Sequence, residues 1–273
     1  MQSKKFTGCI MEHITSKDNS AIKRLAKLVS SKKERDAAGL FVCEGARLCI
    51  DGVKSGYIPC ELFVTVTAAK KYPEILQIAD KCAKTAVITD ALAGKISDTG
   101  TTQGVFAVFK RLDNDATAVK IKNGGKYVLL SSLQDPGNVG TIMRTCEAFG
   151  IDGLIVSCDC PDIYSSKVLR ASMGAVFRLP VLVSNDINRQ IQLLRQGGTN
   201  VLAAALAEDA VPVSRADFSG TAAVVIGNEG SGLAPETVSA CNGTVIIPMS
   251  GGAESLNASV AAAILVWEMT RQK

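Results

Sequence analysis

Six apolar runs punctuate the C-terminal half: Tyr127–Leu130, Leu154–Val156, Val181–Val183, Val201–Ala205, Ala223–Ile226 and Val245–Ile247. Each is too short for a helix, and none alternates with polar residues. Helical stretches, among them Thr141–Phe149 and Ile187–Arg195, lie between them. A strand that is apolar throughout must be covered on both faces, so the alternation predicts a mostly parallel sheet with helices on either side. Three strand ends lead into glycine-rich breaks. These are Asp135-Pro-Gly-Asn-Val-Gly-Thr-Ile-Met-Arg144, Gly227-Asn-Glu-Gly-Ser-Gly-Leu233, and Ile247-Pro-Met-Ser-Gly-Gly-Ala-Glu-Ser-Leu-Asn257. Glycine lets backbone approach a ligand closely, so the breaks point to a site built from strand ends, with Asn, Arg, Glu and Ser as its chemistry. The last segment, Leu256 to Met269, reads as a long alanine-rich helix. One side should bury in its own domain, leaving Ala262, Leu265 and Trp267 to pack on a second subunit.

The N-terminal half reads as a smaller α/β unit. Leu40–Val42, Leu62–Val66, Val87–Ile88 and Gly104–Phe109 are its strands, and Glu74–Lys84 its helix, with Ile75, Leu76, Ile78, Ala79 and Cys82 as the apolar stripe. Polar residues and paired glycines make Arg111–Gly125 the natural linker. The expected organisation is therefore a basic helical segment over 1–38, an α/β domain over 39–110, a linker over 111–125 and the parallel-sheet domain over 126–273. With 273 residues the chain has room for two cores.

Charge is unevenly placed. Residues 1–35 hold nine Lys/Arg against Glu12, Asp18 and Glu34, a local +6 that the −2 of the remainder brings to the net +4. There Ile22, Leu25, Ala26 and Val29 follow helical spacing, while Lys23, Arg24, Lys27, Lys32 and Lys33 lie mostly off that stripe. Such a helix suits a polyanion such as RNA, and a solvated face serving solubility fits the charge equally well. No apolar run approaches a membrane span, and the first twenty residues hold Lys4, Lys5, Glu12 and Lys17 but no apolar block. A cytoplasmic protein without membrane attachment is expected. The nine cysteines include no Cys-x-x-Cys pair, which argues for reduced thiols and against a metal site. His13, the single histidine, lies far from every glycine motif, so chemistry there should run without a histidine base.

In the first break Pro136-Gly137 turns the chain, Asn138 suits a helix N-cap, and Gly150 suits the C-terminal end. Arg144 is either an ordinary surface residue or a permanent cation that docks a phosphate bidentately. The second break is either a turn for tight packing or a ligand loop, and it lacks the spacing of a dinucleotide fingerprint. In the third, Ser255 and Asn257 either cap the last helix or help its first amides hold a carboxylate.

These residues resemble the SpoU/TrmH family of RNA ribose methyltransferases, in the SPOUT superfamily. The resemblance covers Lys126 to Arg271. Asn138-Val-Gly140 with Arg144 is similar to the first family motif, Gly227 to Leu233 to the second, and Ile247-Pro-Met249 through Ser255-Leu-Asn-Ala-Ser259 to the third. Ala258 departs from the usual valine without touching a polar role. The resemblance implies a trefoil knot in the C-terminal domain, where general rules would give a plain doubly wound sheet. It also implies S-adenosylmethionine bound near Leu206, Gly227, Ile247 and Leu256, no metal, and a homodimer. Its candidate catalytic residues fall on Asn138, Arg144, Glu229, Ser255 and Asn257. The N-terminal unit resembles the substrate-binding domain of the ribosomal-RNA branch, similar to certain ribosomal proteins, through Phe41–Leu48 and Ile96–Val105; Thr102 replaces a frequent proline.

The expected activity is methyl transfer to a ribose 2′-hydroxyl in RNA, with 23S ribosomal RNA the first candidate substrate because a separate domain can grip folded RNA by shape. Transfer RNA is the alternative within the class. A ribosome assembly factor that binds RNA without catalysis is the alternative outside it, and intact Asn138, Arg144, Glu229 and Asn257 argue against that reading.

Overall fold

The computed structural model describes residues 12–112, 119–252 and 255–271. Lys4 and Lys5, residues 113–118 of the linker, and Ala253 and Glu254 of the third break lie outside them. The chain forms two compact units, one comprising residues 1–112 with Tyr164–Arg170, the other residues 113–163 with 171–273.

The first unit runs β1 (Glu12–Ile14), α1 (Ser20–Ser30), α2 (Lys32–Ala38), β2 (Leu40–Glu44), α3 (Ala46–Lys54), β3 (Glu61–Thr65), α4 (Val66–Lys71), α5 (Glu74–Ala79), β4 (Lys84–Ile88), α6 (Asp90–Ile96) and β5 (Val105–Lys110). Its sheet has the order β1-β4-β3-β5-β2, with β1, β4 and β3 parallel and β5 antiparallel to both its neighbours. The basic helix is integral to this unit. Ile22, Leu25 and Leu28 of α1 pack in one core with Phe63, Phe106 and Val108 of the sheet and Leu92, Ala93 and Ile96 of α6. Leu28 takes the buried position that the sequence pattern gave to Ala26 and Val29, which stay half-buried. Arg24 is ion-paired with Glu61, Lys23 with Asp18 at 3.0 Å, and Lys27 with Glu34 at 3.9 Å. The helix expected over 74–84 stops at Ala79. Lys84 is drawn into β4 opposite Glu61, so 80–83 must turn.

The rest of the chain runs β6 (Lys126–Leu130), α7 (Pro136–Ala148), β7 (Gly153–Ser157), α8 (Ser166–Ser172), β8 (Val181–Ser184), α9 (Ile187–Gln196), β9 (Asn200–Ala204), β10 (Val211–Pro212), β11 (Ala222–Ile226), α10 (Pro235–Ala240), β12 (Gly243–Ile246) and α11 (Ala258–Arg271), all in the second unit except α8 as far as Arg170. Every pairing in the seven-stranded sheet, order β10-β12-β9-β11-β6-β7-β8, is parallel. One face, with Tyr127, Leu129, Ile155, Val201, Ala203, Ala223 and Val225, carries Ile191 and Leu194 of α9 and Val238 of α10. The opposite face carries α11, which also packs on α7. The edge strand β10 is the one strand that the apolar runs did not announce. It has only two residues, and one of them is proline.

Strand order explains where a site belongs. From β6 the chain steps outward to β7 and β8, then crosses back to β9, with β11 later inserted between β9 and β6. Such a reversal leaves a crevice at the carboxyl ends of the central strands. The glycine-rich breaks follow the carboxyl ends of β6, β11 and β12.

Candidate active site

After β6 the chain enters Ser131 and Ser132, and Ser132 adopts a left-handed φ of 57°. Helix α7 then begins at Asp135, whose carboxylate accepts from the amides of Gly137 (2.5 Å) and Asn138 (3.1 Å). Asp135 is therefore the N-cap, Pro136 fills the first helical position, and Asn138 sits one turn inside. This corrects the assignment of Asn138 as the cap. An acceptor followed by proline is itself a helix-start signal, because proline lacks the amide that would go unpaired there. At the other end Gly150, with φ of 66°, follows the last turn as expected.

Freed from capping, Asn138 turns inward and is 8% exposed. Its Nδ2 donates to Glu229 Oε1 at 2.9 Å, and its Oδ1 accepts from Asn257 Nδ2 at 3.0 Å. Glu229 also accepts from the amides of Gln134 (3.0 Å) and Asp135 (3.3 Å). Partial burial pushes the Glu229 carboxyl up, but the Asn138 amide and the backbone amides outweigh it and hold the pKa below the ordinary glutamate value. Asn257 in turn caps α11, its Oδ1 accepting from the amides of Ser259 (2.9 Å) and Val260 (3.4 Å). One chain of hydrogen bonds, Glu229–Asn138–Asn257, thus ties the three breaks together.

The loop after β11 is closed by its own residues. Asn228 and Gly232 exchange both backbone hydrogen bonds at 3.0 Å, and Asn228 Oδ1 accepts from the amides of Gly230 (2.8 Å) and Ser231 (3.0 Å). Asn228 Nδ2 reaches across to the carbonyl of Ser132 at 2.8 Å. Gly227 has no room for a side chain. A Cβ there would lie 2.6 Å from the backbone carbon and oxygen of Gly232 and 2.7 Å from the amide nitrogen of Leu233. Backbone cannot swing aside, so glycine is required.

The remaining expected residues are placed separately. Arg144 is exposed on α7, and neither a hydrogen bond nor an ion pair ties it to another described residue. It lies six positions beyond Asn138, about 240° around the helix, so it does not share the inward face. Ser255 is exposed and does not join the Asn138 network. Leu206, Gly227 and Ile247 follow the carboxyl ends of three adjacent strands, β9, β11 and β12. Leu206 is 77% exposed, and Leu256, just before α11, is also exposed. Asp135, Asn228 and Ser132 join these loops without having been expected there. The first carried a readable signal; the others are short polar residues whose partners only the fold supplies. For α11, Ala262 and Leu265 are buried within their own unit, which corrects their assignment to a second subunit. Trp267 remains 53% exposed and Val260 48%, and the Trp267 ring meets the exposed Phe149 edge-on at 5.7 Å.

A parallel sheet with three interlocked loops at its carboxyl ends, preceded by a small mixed-sheet unit, defines the class. The chain belongs to the SpoU rRNA methylase family, whose pattern matches residues 125–267, and residues 19–107 match an MRM3-like substrate-binding domain. Among individual relatives, it is 30% identical over 259 residues to the 23S rRNA (guanosine(2553)-2′-O)-methyltransferase RlmP of Bacillus subtilis, covering 95% of this chain and 99% of that one. It is 29% identical over 265 residues to the 23S rRNA (uridine(2479)-2′-O)-methyltransferase of Streptomyces viridochromogenes, covering 95% and 92%. The AdoMet-bound rRNA methyltransferase from Sinorhizobium meliloti superposes with a TM-score of 0.86 at 29% identity, covering 96% of this chain and 98% of that structure.

Proposed function

We propose that this protein transfers a methyl group from S-adenosylmethionine to a ribose 2′-hydroxyl of 23S ribosomal RNA. The observation that carries this is the Glu229–Asn138–Asn257 chain, which locks three loops at the carboxyl ends of the sheet in a chain matched end to end by 23S rRNA 2′-O-methyltransferases.

The residues fit the donor. Gly227 keeps its loop free of side chain where backbone must come close, and Leu206, Ile247 and Leu256 offer apolar surface to an adenine. When bound, S-adenosylmethionine supplies a sulfonium methyl that is already activated for transfer. The protein then has to position the hydroxyl and stabilise charge. Arg144, permanently protonated and unpaired with any described residue, clamps the phosphate beside the target ribose and stabilises alkoxide charge as it develops. Asn138, Glu229 and Asn257 hold the loops, and Ser255 lines the third. The first unit, the substrate-binding domain over 39–110 together with its basic helix, grips the RNA.

The same reading includes a homodimer, supported by the Phe149–Trp267–Val260 surface, and a cytoplasmic site of action, where ribosomal RNA is available to the enzyme. Among the described residues no helix is long and apolar enough to cross a membrane. It also includes the trefoil knot, supported by two late segments, one reaching the turn after β6 and the other the first turn of α7. Pulling the chain from its two ends tests the knot, since a knotted chain stops short of its full contour length.

Mapping 2′-O-methyl groups in RNA from cells with and without the protein tests the activity. A 23S position that loses its methyl group is the expected result, and an unchanged map refutes it. For Arg144→Lys, loss of the two-pronged phosphate contact is expected to lower kcat/KM about 100-fold. Near-normal activity would eliminate the clamp.

A further inference from the structure

Ser132 is one of two non-glycine residues among those described that adopt a positive φ; the other, Met173, lies outside this loop. Its conformation is held from the neighbouring strand. The Ser132 amide donates to Ser157 Oγ at 3.0 Å, and Ser132 Oγ donates to Asp159 Oδ2 at 2.5 Å. Ser157 Oγ donates to the other carboxylate oxygen, Asp159 Oδ1. Both oxygens of Asp159 are thus occupied by hydroxyls, and its pKa lies below the ordinary aspartate value: burial raises it, and the Ser132 and Ser157 hydroxyls outweigh burial. Ser157 and Asp159 stand at the carboxyl end of β7, beside β6.

The residue held this way is a junction. The Ser132 carbonyl accepts from Asn228 Nδ2 at 2.8 Å and from Gln134 Nε2 at 3.1 Å. Two residues on, the Gln134 amide donates to Glu229 at 3.0 Å. A left-handed serine costs free energy unless its surroundings hold it, and relaxation of φ at 132 would swing the carbonyl and the following amides together.

We propose that Asp159 is a positioning residue: by bracing Ser132 in its left-handed conformation from β7, it sets the turn that holds the Gly227–Leu233 loop and Glu229. It touches neither RNA nor donor in this role. The inference rests on the methyltransferase reading for its catalytic consequence, but its structural half stands without it.

Asp159→Ala removes the brace at an exposed position, and Asp159→Asn removes the charge with little change of shape. Ser132→Gly, combined with Asp159→Ala, supplies a residue that adopts positive φ unaided. Hydrogen exchange at the Gln134 and Asp135 amides reads the turn directly. Its protection is expected to fall about tenfold in Asp159→Ala, less in Asp159→Asn, and to recover in the double variant. S-adenosylmethionine affinity and kcat should follow the same order, with KM for RNA unchanged. Unaltered exchange in Asp159→Ala overturns the brace, as does a loss that Ser132→Gly leaves uncorrected. If exchange behaves as expected while the unmodified protein neither binds the donor nor methylates RNA, the methyltransferase reading fails and the brace stands.

Discussion

Asn138→Asp exchanges a single NH2 group for oxygen in the middle of the site. The carboxylate can still accept from Asn257 Nδ2, 3.0 Å away in the native protein, so that contact survives. The opposite contact is inverted. Glu229 Oε1, which received a hydrogen at 2.9 Å, would face a second anion. Two unit charges ~3 Å apart at an effective dielectric of ~20 repel by about 5 kcal/mol. Glu229 keeps partial access to water, which screens part of this, and a hydrogen bond to a charged group is lost as well. The net cost is about 3 kcal/mol at pH 8.

That corresponds to about 100-fold in the population of the ordered site, and to about 6–12 °C in the melting temperature of a domain this size. Isothermal calorimetry with S-adenosylmethionine reads the first and thermal unfolding the second. The pair can escape the repulsion by holding one proton, which raises one carboxyl pKa above its unfolded value of about 4. A raised folded pKa means that the folded variant binds more protons than the unfolded chain, so its stability falls as pH rises through that window. Asn138→Asp should therefore recover toward wild type between pH 8 and pH 5. A variant that matches wild type at pH 8, or fails equally at both pH values, would refute this account of the site.

The wild-type protein should show the opposite dependence. Glu229 and Asp159 are both held below their ordinary values, so their contribution is present above about pH 4 and is lost as pH falls through the folded values. Urea midpoints at pH 7 and pH 3 should differ less in Glu229→Gln than in wild type, and an equal difference would remove Glu229 from the argument. Gly227→Ala places a Cβ 2.6 Å from backbone and should reduce S-adenosylmethionine binding at least tenfold. Gly230→Ala, where the nearest atom is 3.6 Å away, is the control for the same loop and should bind within about twofold. Trp267→Glu charges the apolar face formed with Phe149. Sedimentation should show monomers with an unchanged fold, and a persistent dimer would exclude that face.

Much of the fold was legible because strand and helix are written in local periodicity. The six apolar runs became six of the seven strands in the second sheet, and continuous apolarity correctly implied parallel pairing with helices on both faces. The basic helix was readable by the same rule, though not its place. Its stripe of Ile22 and Leu25 could not say that Leu28 would complete it inside the core of the first unit. The α11 helix shows the limit more sharply. Its residues are apolar nearly all round, so periodicity does not distinguish the buried Ala262 and Leu265 from the exposed Trp267.

Local residue patterns define the pieces: apolar segments of strand length, glycines where backbone must approach closely, and Asn, Glu and Arg beside them. Which pieces meet is a property of the assembled fold. Asn138 bonds to Glu229 across 91 positions and to Asn257 across 119. Those distances along the chain are bridged by strand order, in which β11 inserts beside β6. Ser132, likewise, finds its hydroxyl and carboxylate partners in Ser157 at the end of β7 and Asp159 just beyond it. Local spacing encodes the period of an element. Contact between elements depends on how a whole sheet is threaded, and that is settled by collective packing that no single segment contains.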